Sequence, residues 1–171
     1  MKKILLILTL SFLSIFCFAQ SKFEISKVDS ISKTKSELYS ATKMFISEYW
    51  KSAQDVIQND DKESGLILIK GSSIKYSSFL LNQHRFIFSY TVKFLMKDNK
   101  YKVEITNVYN TSHTCVGNSW GTVDPCDNFT GNKYLPAKKG NEMFLDLYND
   151  LQGIVNDYNK YLQSSKNSND F

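Results

Sequence analysis

The chain has 171 residues, enough for one domain of ordinary size. Its hydrophobic fraction of 42% is normal for a globular fold, and 12 Phe and 10 Tyr make it rich in aromatic residues. The formal net charge is +4, and it falls to +2 once Lys2 and Lys3, which belong to a segment that we expect to be removed, are set aside. A charge so near balance predicts no nucleic-acid partner and no membrane-surface partner.

The N-terminal segment has the three parts of a secretory signal peptide. It begins with two lysines, continues with an apolar core over residues 4–18, and ends at Ala19 with small residues at both cleavage-site positions. We therefore predict a signal peptide over residues 1–19, cleaved between Ala19 and Gln20. The mature protein is then exported, either to the periplasm or to the extracellular space and cell surface.

Two other fates of this segment stay open. A retained membrane anchor is one, although the apolar core is shorter than the roughly 20 residues that cross a bilayer. A lipoprotein acylated at Cys17 is the other, although the bulky Phe16 stands where such signals have a small residue. We expect no membrane span after removal of the signal peptide.

The mature chain begins with a strand and a helix. Residues 22–31 alternate like a strand but change phase, which indicates a bulge or an early end. Thr34 and Glu37 match the capping box S/T-x-x-E and predict a helix over about residues 35–52. One stripe of this helix is apolar: Leu38, Ala41, Phe45, Ile46, Tyr49 and Ala53.

The next segment predicts two strands separated by a turn. Residues 55–58 are a short strand candidate, and the polar residues 59–65 end in a glycine, as turns often do. Residues 66–69 are apolar without interruption, which is typical of a central strand. Gly71 then indicates a bulge or a close backbone approach.

Residues 85–109 predict a long β-hairpin. Its apolar side chains alternate with polar ones, at Phe86, Phe88, Tyr90, Val92, Phe94 and Met96 and again at Tyr101, Val103, Ile105 and Tyr109. We interpret Asp98-Asn99 as a two-residue turn of type I′. This turn sets the cross-strand pairs Met96–Tyr101, Phe94–Val103, Val92–Ile105, Lys93–Glu104, Thr91–Thr106 and Lys97–Lys100.

The remainder predicts a loop, a second helix and a tail. Residues 110–139 form a long polar loop, and residues 164–171 a polar tail that we expect to be disordered. A helix over about residues 141–163 is interrupted by Gly153, at a position where close packing would need a glycine. Its apolar stripe consists of Phe144, Leu147, Tyr148, Leu151, Ile154, Val155, Tyr158 and Leu162.

These elements predict a single α+β domain over residues 20–163. The expected architecture is an antiparallel sheet of about five strands, with two helices packed on the face that carries the aromatic row.

The mature chain keeps two cysteines, Cys115 and Cys126, eleven positions apart in the polar loop. In an oxidising compartment we expect them to form a disulfide, which would stabilise the fold by roughly 3 kcal/mol in the chain-entropy model. Two separate thiols are the alternative. A zinc site would need two further ligands, and only His84 and His113 exist, so we predict no metal site.

Several of these stretches resemble a known family. Residues 65–71, residues 94–105 and the aromatic helix end at Tyr49-Trp50 are similar to a family of uncharacterised exported Bacteroidota domains with a TBP-like fold. The hairpin tip, residues 97–101, resembles that family's basic-Asp-Gly-basic-Tyr motif, with Asn99 where glycine is common. The resemblance implies a β-α-β-β-β-β-α topology and no known activity, and the fold name does not imply DNA binding.

The candidate binding residues are His84, His113 and Trp120. The two histidines flank the predicted hairpin, so they are hypothesised to lie near each other, while Trp120 either stacks on a ligand or packs over the disulfide. No catalytic motif, glycine-rich phosphate loop or calcium loop is present in the sequence, so we predict no catalytic residues and no cofactor.

The sequence favours an exported, non-catalytic domain that binds a protein or small-molecule partner. One alternative is a carrier of a small hydrophobic ligand held between helix and sheet, with Phe88, Tyr90, Val92 and Phe94 lining the cavity. The other is a hydrolase that uses the loop over residues 110–139 together with His113.

Overall fold

The computed structural model describes residues 23–79, 82–116, 122–124 and 137–164. In chain order, the elements are β1 (Ile25–Ser30), α1 (Lys35–Trp50), α2 (Ala53–Val56), β2 (Ile57–Asp61), β3 (Leu66–Phe79), β4 (Asn82–Lys97), β5 (Lys100–Val116), β6 (Thr122–Asp124) and α3 (Ala137–Ser164). The strands form one antiparallel sheet in the order β1-β5-β4-β3-β2, with β6 beside β5. The α+β class is confirmed. The predicted signal peptide and tail lie outside the described residues, apart from Ser164.

The predicted hairpin register between β4 and β5 is confirmed at all six pairs, from Thr91–Thr106 to Lys97–Lys100. The turn differs from type I′, because Asn99 has a positive φ of 60° but Asp98 does not. The turn is also held from outside, since the backbone N–H of Lys35 donates a 2.7 Å hydrogen bond to a carboxylate oxygen of Asp98.

The prediction that Tyr109 continues the apolar row is wrong, because β5 contains a bulge. Ser89 pairs with Tyr109 but Thr91 pairs with Thr106, so β5 carries one extra residue there, and Asn107 adopts a positive φ of 53°. The extra residue reverses the alternation of side chains beyond it. Tyr109 is therefore 49% exposed, while Asn110 is buried.

The prediction of an unstructured loop from residue 110 is also wrong in part. β5 continues to Val116, and Thr122–Asp124 form the short strand β6 paired with residues 113–115. Pairing with β4 satisfies the backbone hydrogen bonds of this polar segment. The polar side chains of the segment give no sign of this pairing. The rest of the predicted loop, between these strands and α3, lies outside the described residues.

The capping box predicted for α1 is confirmed. The backbone N–H of Thr34 donates a 2.7 Å hydrogen bond to the Glu37 carboxylate, and the backbone N–H of Glu37 donates a 3.3 Å hydrogen bond to the Thr34 hydroxyl. The hydrogen bonds that the Glu37 carboxylate accepts from the backbone N–H and the hydroxyl of Thr34 lower the pKa of Glu37. The helix ends at Trp50, where Lys51 adopts a left-handed conformation.

The strand predicted over residues 55–58 is shifted. Ala53–Val56 form the short helix α2, and β2 continues through Asn59 and Asp60 to Asp61, which were expected to lie in a turn. Their partners are Leu66 to Leu68, so backbone pairing overrides the polar side chains. The prediction of a central strand at residues 66–69 is confirmed, because this segment lies between β2 and β4.

The two long helices cover one face of the sheet, and a cluster of aromatic rings fills the space between them. The Tyr158 ring lies 5.1 Å from that of Phe45, 4.9 Å from that of Phe94 and 5.3 Å from that of Tyr101, measured between ring centroids. Its hydroxyl is 2.7 Å from that of Thr42, and burial raises its pKa. The predicted stripe of α3 supplies this core except at Tyr148, which is 39% exposed, and at Phe144, which is only partly buried.

Gly153 is not required for packing. A Cβ built at this position would have no neighbour within 4 Å, so the expectation of a close helix contact is wrong.

Candidate functional site

The sheet divides into two parts along its strands. β2 pairs with β3 only up to Ile69, and β1 pairs with β5 only up to Ile105. Beyond these points β3, β4 and β5 continue together, and we call residues 70–79, 82–90 and 108–116 the distal sheet. One face of the distal sheet is turned toward α3, and the other face carries no helix among the described residues.

A buried lysine lies on the helix-facing side of the distal sheet. The Lys75 ammonium is 2.8 Å from a carboxylate oxygen of Asp146 and 2.5 Å from one of Asp150, both on α3, and only 8% of its side chain is exposed. Burial acts to lower the pKa of Lys75, but the two carboxylates outweigh it and the pKa is raised. Ser73 also donates a 3.4 Å hydrogen bond to Asp150. These contacts attach α3 to β3.

His84 lies on the same side, farther from the core. It is 7% exposed, its ring stacks on Phe86 at 6.3 Å, and burial lowers its pKa. In the backbone register Cys115 pairs with His84, and His113 pairs with Phe86. The structure therefore brings the backbone positions of the two histidines together, on adjacent strands, as the hypothesis required. The side chain of His113 lies outside the described residues.

The opposite face of the distal sheet exposes large apolar side chains. Ile74 is 45% exposed, Tyr76 is 58% exposed and Tyr109 is 49% exposed. Ile87 pairs with Ile74 in the β3–β4 register, so Ile87 lies on the same surface as these exposed side chains.

A cleft of about 500 Å³ lies where the distal sheet begins, a size typical of small-ligand sites. It is half open to solvent, and its lining comes from the end of α1, from α2 and from three neighbouring strands. The lining residues are Trp50, Val56, Lys70, Gly71, Ser72, Ser89, Tyr90, Thr91, Asn107 and Tyr109.

Two aromatic residues set the wall of the cleft. Tyr90 packs directly against the backbone of Gly71, where a Cβ would lie 2.5 Å from the tyrosine ring. This confirms the close approach predicted at Gly71. Burial raises the pKa of Tyr90, while a hydrogen bond from the indole N–H of Trp50 acts to lower it. The Trp50 indole and the Tyr90 hydroxyl therefore lie near each other at this wall.

Of the described residues that line the cleft, Lys70 alone is charged, and none carries a carboxylate. Lys70 is exposed, and across the described parts of the chain its ammonium has no ion pair and no hydrogen bond. The other polar groups are the hydroxyls of Ser72, Ser89 and Thr91 and the amide of Asn107.

The described part of the chain holds neither a cluster of metal ligands nor a membrane-spanning helix. Within the described residues, no three His, Cys, Asp or Glu side chains are grouped so that they could hold a metal ion. Of the helices described, none is both long enough and apolar enough to span a membrane.

The sequence profile of one domain family matches residues 25–110 of the chain, from β1 to the distal part of β5. That family is described as a domain of unknown function (DUF4468) with TBP-like fold. The chain belongs to the DUF4468 family. This confirms the resemblance to a family of uncharacterised domains with a TBP-like fold.

Two solved structures share this architecture. The crystal structure of a DUF4468 family protein from Bacteroides ovatus has 17% sequence identity and a TM-score of 0.53, over 82% of this chain and 87% of that one. The crystal structure of a TBP-like protein from Parabacteroides distasonis has 14% identity and a TM-score of 0.51, over 83% and 96%. At such low identity these similarities establish the fold alone. No curated protein matches the chain.

The remaining predicted site residues are not tested. Trp120 and Cys126 lie outside the described residues, so the stacking role and the pairing of Cys126 with Cys115 stay predictions. The cleft was missed by sequence reasoning. Its only local signals were the aromatic pair Tyr49-Trp50 and the single glycine of β3, and neither indicates that five elements meet there.

Proposed function

We propose that this DUF4468 domain is an exported, non-catalytic binding module, and that its cleft holds a small ring-containing anion. The observation that carries the proposal is the composition of the cleft. One lysine without an ion pair in the described structure lies beside aromatic rings and hydroxyl groups, and no carboxylate is present.

The charge of Lys70 favours an anionic ligand. An ammonium that has no carboxylate partner can attract a ligand carboxylate without first breaking an ion pair. Charge-assisted hydrogen bonds of this kind contribute about 1.5–3 kcal/mol. The exposed position of Lys70 keeps it accessible from solvent.

The rings favour a ligand that also contains a ring. Trp50, Tyr90 and the half-exposed Tyr109 all line the cleft, so aromatic rings are available to a ligand there. Stacking of a flat ring, or of the apolar face of a sugar ring, on such a surface is favourable. The hydroxyls of Ser72, Ser89 and Thr91 then offer both donors and acceptors to ligand hydroxyls.

Export is part of the proposal and is supported by the sequence of residues 1–19 alone. The pattern of two lysines, an apolar core and small residues up to Ala19 favours cleavage before Gln20 and release into the periplasm or to the cell exterior. The predicted disulfide between Cys115 and Cys126 would fit such a compartment.

The alternative of a hydrophobic-ligand carrier gains no support from the described core. The ring of Phe94, which was expected to line the cavity, contacts Tyr158 and Phe45 instead. The alternative of a hydrolase depends on His113 and the following loop, whose side chains lie outside the described residues, and it stays a hypothesis.

Isothermal titration calorimetry with two matched pairs of probes tests the proposal. D-glucuronate is compared with D-glucose, and benzoate with benzyl alcohol, so that each pair shares a ring and differs in the carboxylate. We expect at least one carboxylate to bind measurably and its neutral counterpart not to bind. Lys70→Met should weaken that binding by about tenfold or more, and Lys97→Met, at the exposed hairpin tip, should not change it.

Two kinds of result would contradict the proposal. If neither carboxylate binds, or if the neutral probes bind as tightly as the carboxylates, the cleft does not select a ring-containing anion. If Lys97→Met weakens binding as much as Lys70→Met does, the attraction is a property of overall charge and not of the cleft.

A further inference from the structure

Along the distal sheet, no strand among the described residues pairs with the outer edge of β3. β2 pairs with this edge only from Leu66 to Ile69. From Lys70 to Phe79, no described residue hydrogen-bonds to the backbone from that side. Such an edge exposes a row of N–H and C=O groups that can pair with another strand.

Two features that usually protect a sheet edge, proline and a bulge, are missing here, and the charged residues of this edge are Lys70 at its start and the inward-pointing Lys75. Residues 70–79 contain no proline, and the β3–β4 register continues without a bulge. Lys75, in the centre of the edge, is buried against α3 with its charge paired. By contrast β1, at the opposite edge, is only six residues long and carries Lys27 and Asp29.

The sequence of this edge is self-complementary. Residues 72–78 read Ser-Ser-Ile-Lys-Tyr-Ser-Ser, which is symmetric about Lys75 if Ile74 and Tyr76 are both counted as apolar. Two copies aligned antiparallel about Lys75 place Ile74 of each copy opposite Tyr76 of the other, and serines opposite serines. A two-fold symmetric interface requires this kind of self-complementarity.

We propose that the β3 edge pairs antiparallel with the β3 edge of a second copy, centred on Lys75, to form a two-fold symmetric dimer with one continuous sheet. This interface lies beside the cleft and does not depend on the ligand proposed for it. It also gives a partner to exposed apolar side chains, because Ile74 and Tyr76 of the two copies form a four-residue cluster on the open face.

The charges at the centre permit this pairing. The dimer brings Lys75 of one copy opposite Lys75 of the other, and like charges directly opposite are normally unfavourable. Here each ammonium already lies between Asp146 and Asp150 of its own α3. Each copy therefore contributes two carboxylates and one ammonium, and the resulting excess of two negative charges in the dimer lies on Asp146 and Asp150, whose side chains are about half exposed or more and so are screened by solvent.

Sedimentation velocity of the mature full-length protein tests the dimer. We expect wild-type protein to sediment as a dimer in the micromolar range, and Ile74→Lys and Tyr76→Lys each to sediment as a folded monomer, because either variant would place two added positive charges side by side at the axis. The matched control is Met44→Lys on α1, which is 57% exposed and should leave the dimer intact. A monomeric wild-type protein, or dimers of both edge variants, would overturn the proposal.

Cysteine cross-linking tests the register. Opposite residues in an antiparallel pair lie within the Cα separation that a disulfide allows, whereas diagonal residues two positions away do not. A mixture of Ile74→Cys and Tyr76→Cys proteins should therefore form disulfide-linked heterodimers, and neither variant alone nor the wild type should cross-link to that extent. Equal cross-linking of each variant alone would overturn the alignment about Lys75.

Discussion

The ring of Tyr90 lies against the backbone of Gly71, its register partner on the neighbouring strand. The contact lies where the pairing of β3 with β2 ends and the distal sheet begins. It leaves no room for a side chain at Gly71, and it places Tyr90 within reach of Trp50. One glycine therefore links the packing of the sheet to the shape of the cleft.

Substitution of this glycine should destabilise the protein. In Gly71→Ala the new Cβ would lie 2.5 Å from ring atoms of Tyr90, so the ring or the strand must move. We expect a loss of about 1–3 kcal/mol in the free energy of unfolding, measured by denaturant unfolding. Gly153→Ala is the control, because its Cβ meets open space on a helix and should stabilise by about 0.5–1 kcal/mol. Equal effects of both variants would contradict the contact.

Removing the two carboxylates that pair with Lys75 should destabilise the protein more than removing Lys75 itself. Asp146→Asn combined with Asp150→Asn leaves a buried ammonium without a carboxylate, whereas Lys75→Met leaves two carboxylates that are largely exposed. We therefore expect the double variant to be less stable than Lys75→Met, by about 1–3 kcal/mol in denaturant unfolding. A surface-pair control, Glu142→Gln, should change stability too little to measure. A double variant as stable as Lys75→Met would show that the ammonium reaches water.

His84 should make the fold sensitive to mild acid. Burial lowers the pKa of His84 in the folded state, so the folded protein favours the neutral ring. The resulting stabilisation is present above the unfolded-state pKa of about 6.5 and is lost as the pH falls through the lower folded-state value. We expect NMR titration of the ring protons to give a pKa below 6.5, with His84→Gln assigning the resonance. A pKa at or above the unfolded value would contradict this.

The bulge of β5 should depend on the residue at position 107. Asn107 has a positive φ, which asparagine and glycine tolerate better than other residues. Asn107→Ala should cost about 1 kcal/mol of stability, whereas Asn107→Gly should cost little. Thermal unfolding of the pair measures the difference. If alanine and glycine behave alike, the left-handed conformation at this position is not maintained in solution.

The hairpin could be predicted because the residues that determine its register lie close together in the sequence. Opposite charges at Lys93 and Glu104, and the shared apolar face, select one register around a two-residue turn. Tyr109 could not be placed, because a bulge is a matter of backbone conformation, and Asn107 looks like any other polar residue of a strand. β2 was misplaced for a related reason, since Asp60 and Asp61 pair through their backbones and not through their side chains.

The cleft could not be predicted from the sequence, because its walls come together only in the folded chain. Trp50 and Lys70 belong to different elements, and Asn107 is distant from both in the sequence, although all three line the cleft. The histidines show the opposite case. Their proximity was hypothesised from the hairpin alone, and the backbone pairing of Phe86 with His113 places the two histidine positions on adjacent strands.

The binding of a ring-containing anion in the cleft is tested most directly by NMR. Amide and indole shifts of the labelled mature protein are followed while D-glucuronate or benzoate is added. We expect progressive shifts at the indole of Trp50 and at the amides of Gly71, Ser72 and Thr91, and we expect these shifts to be lost in Lys70→Met. Absence of shifts at these positions with both probes, or shifts confined to another surface, would contradict it.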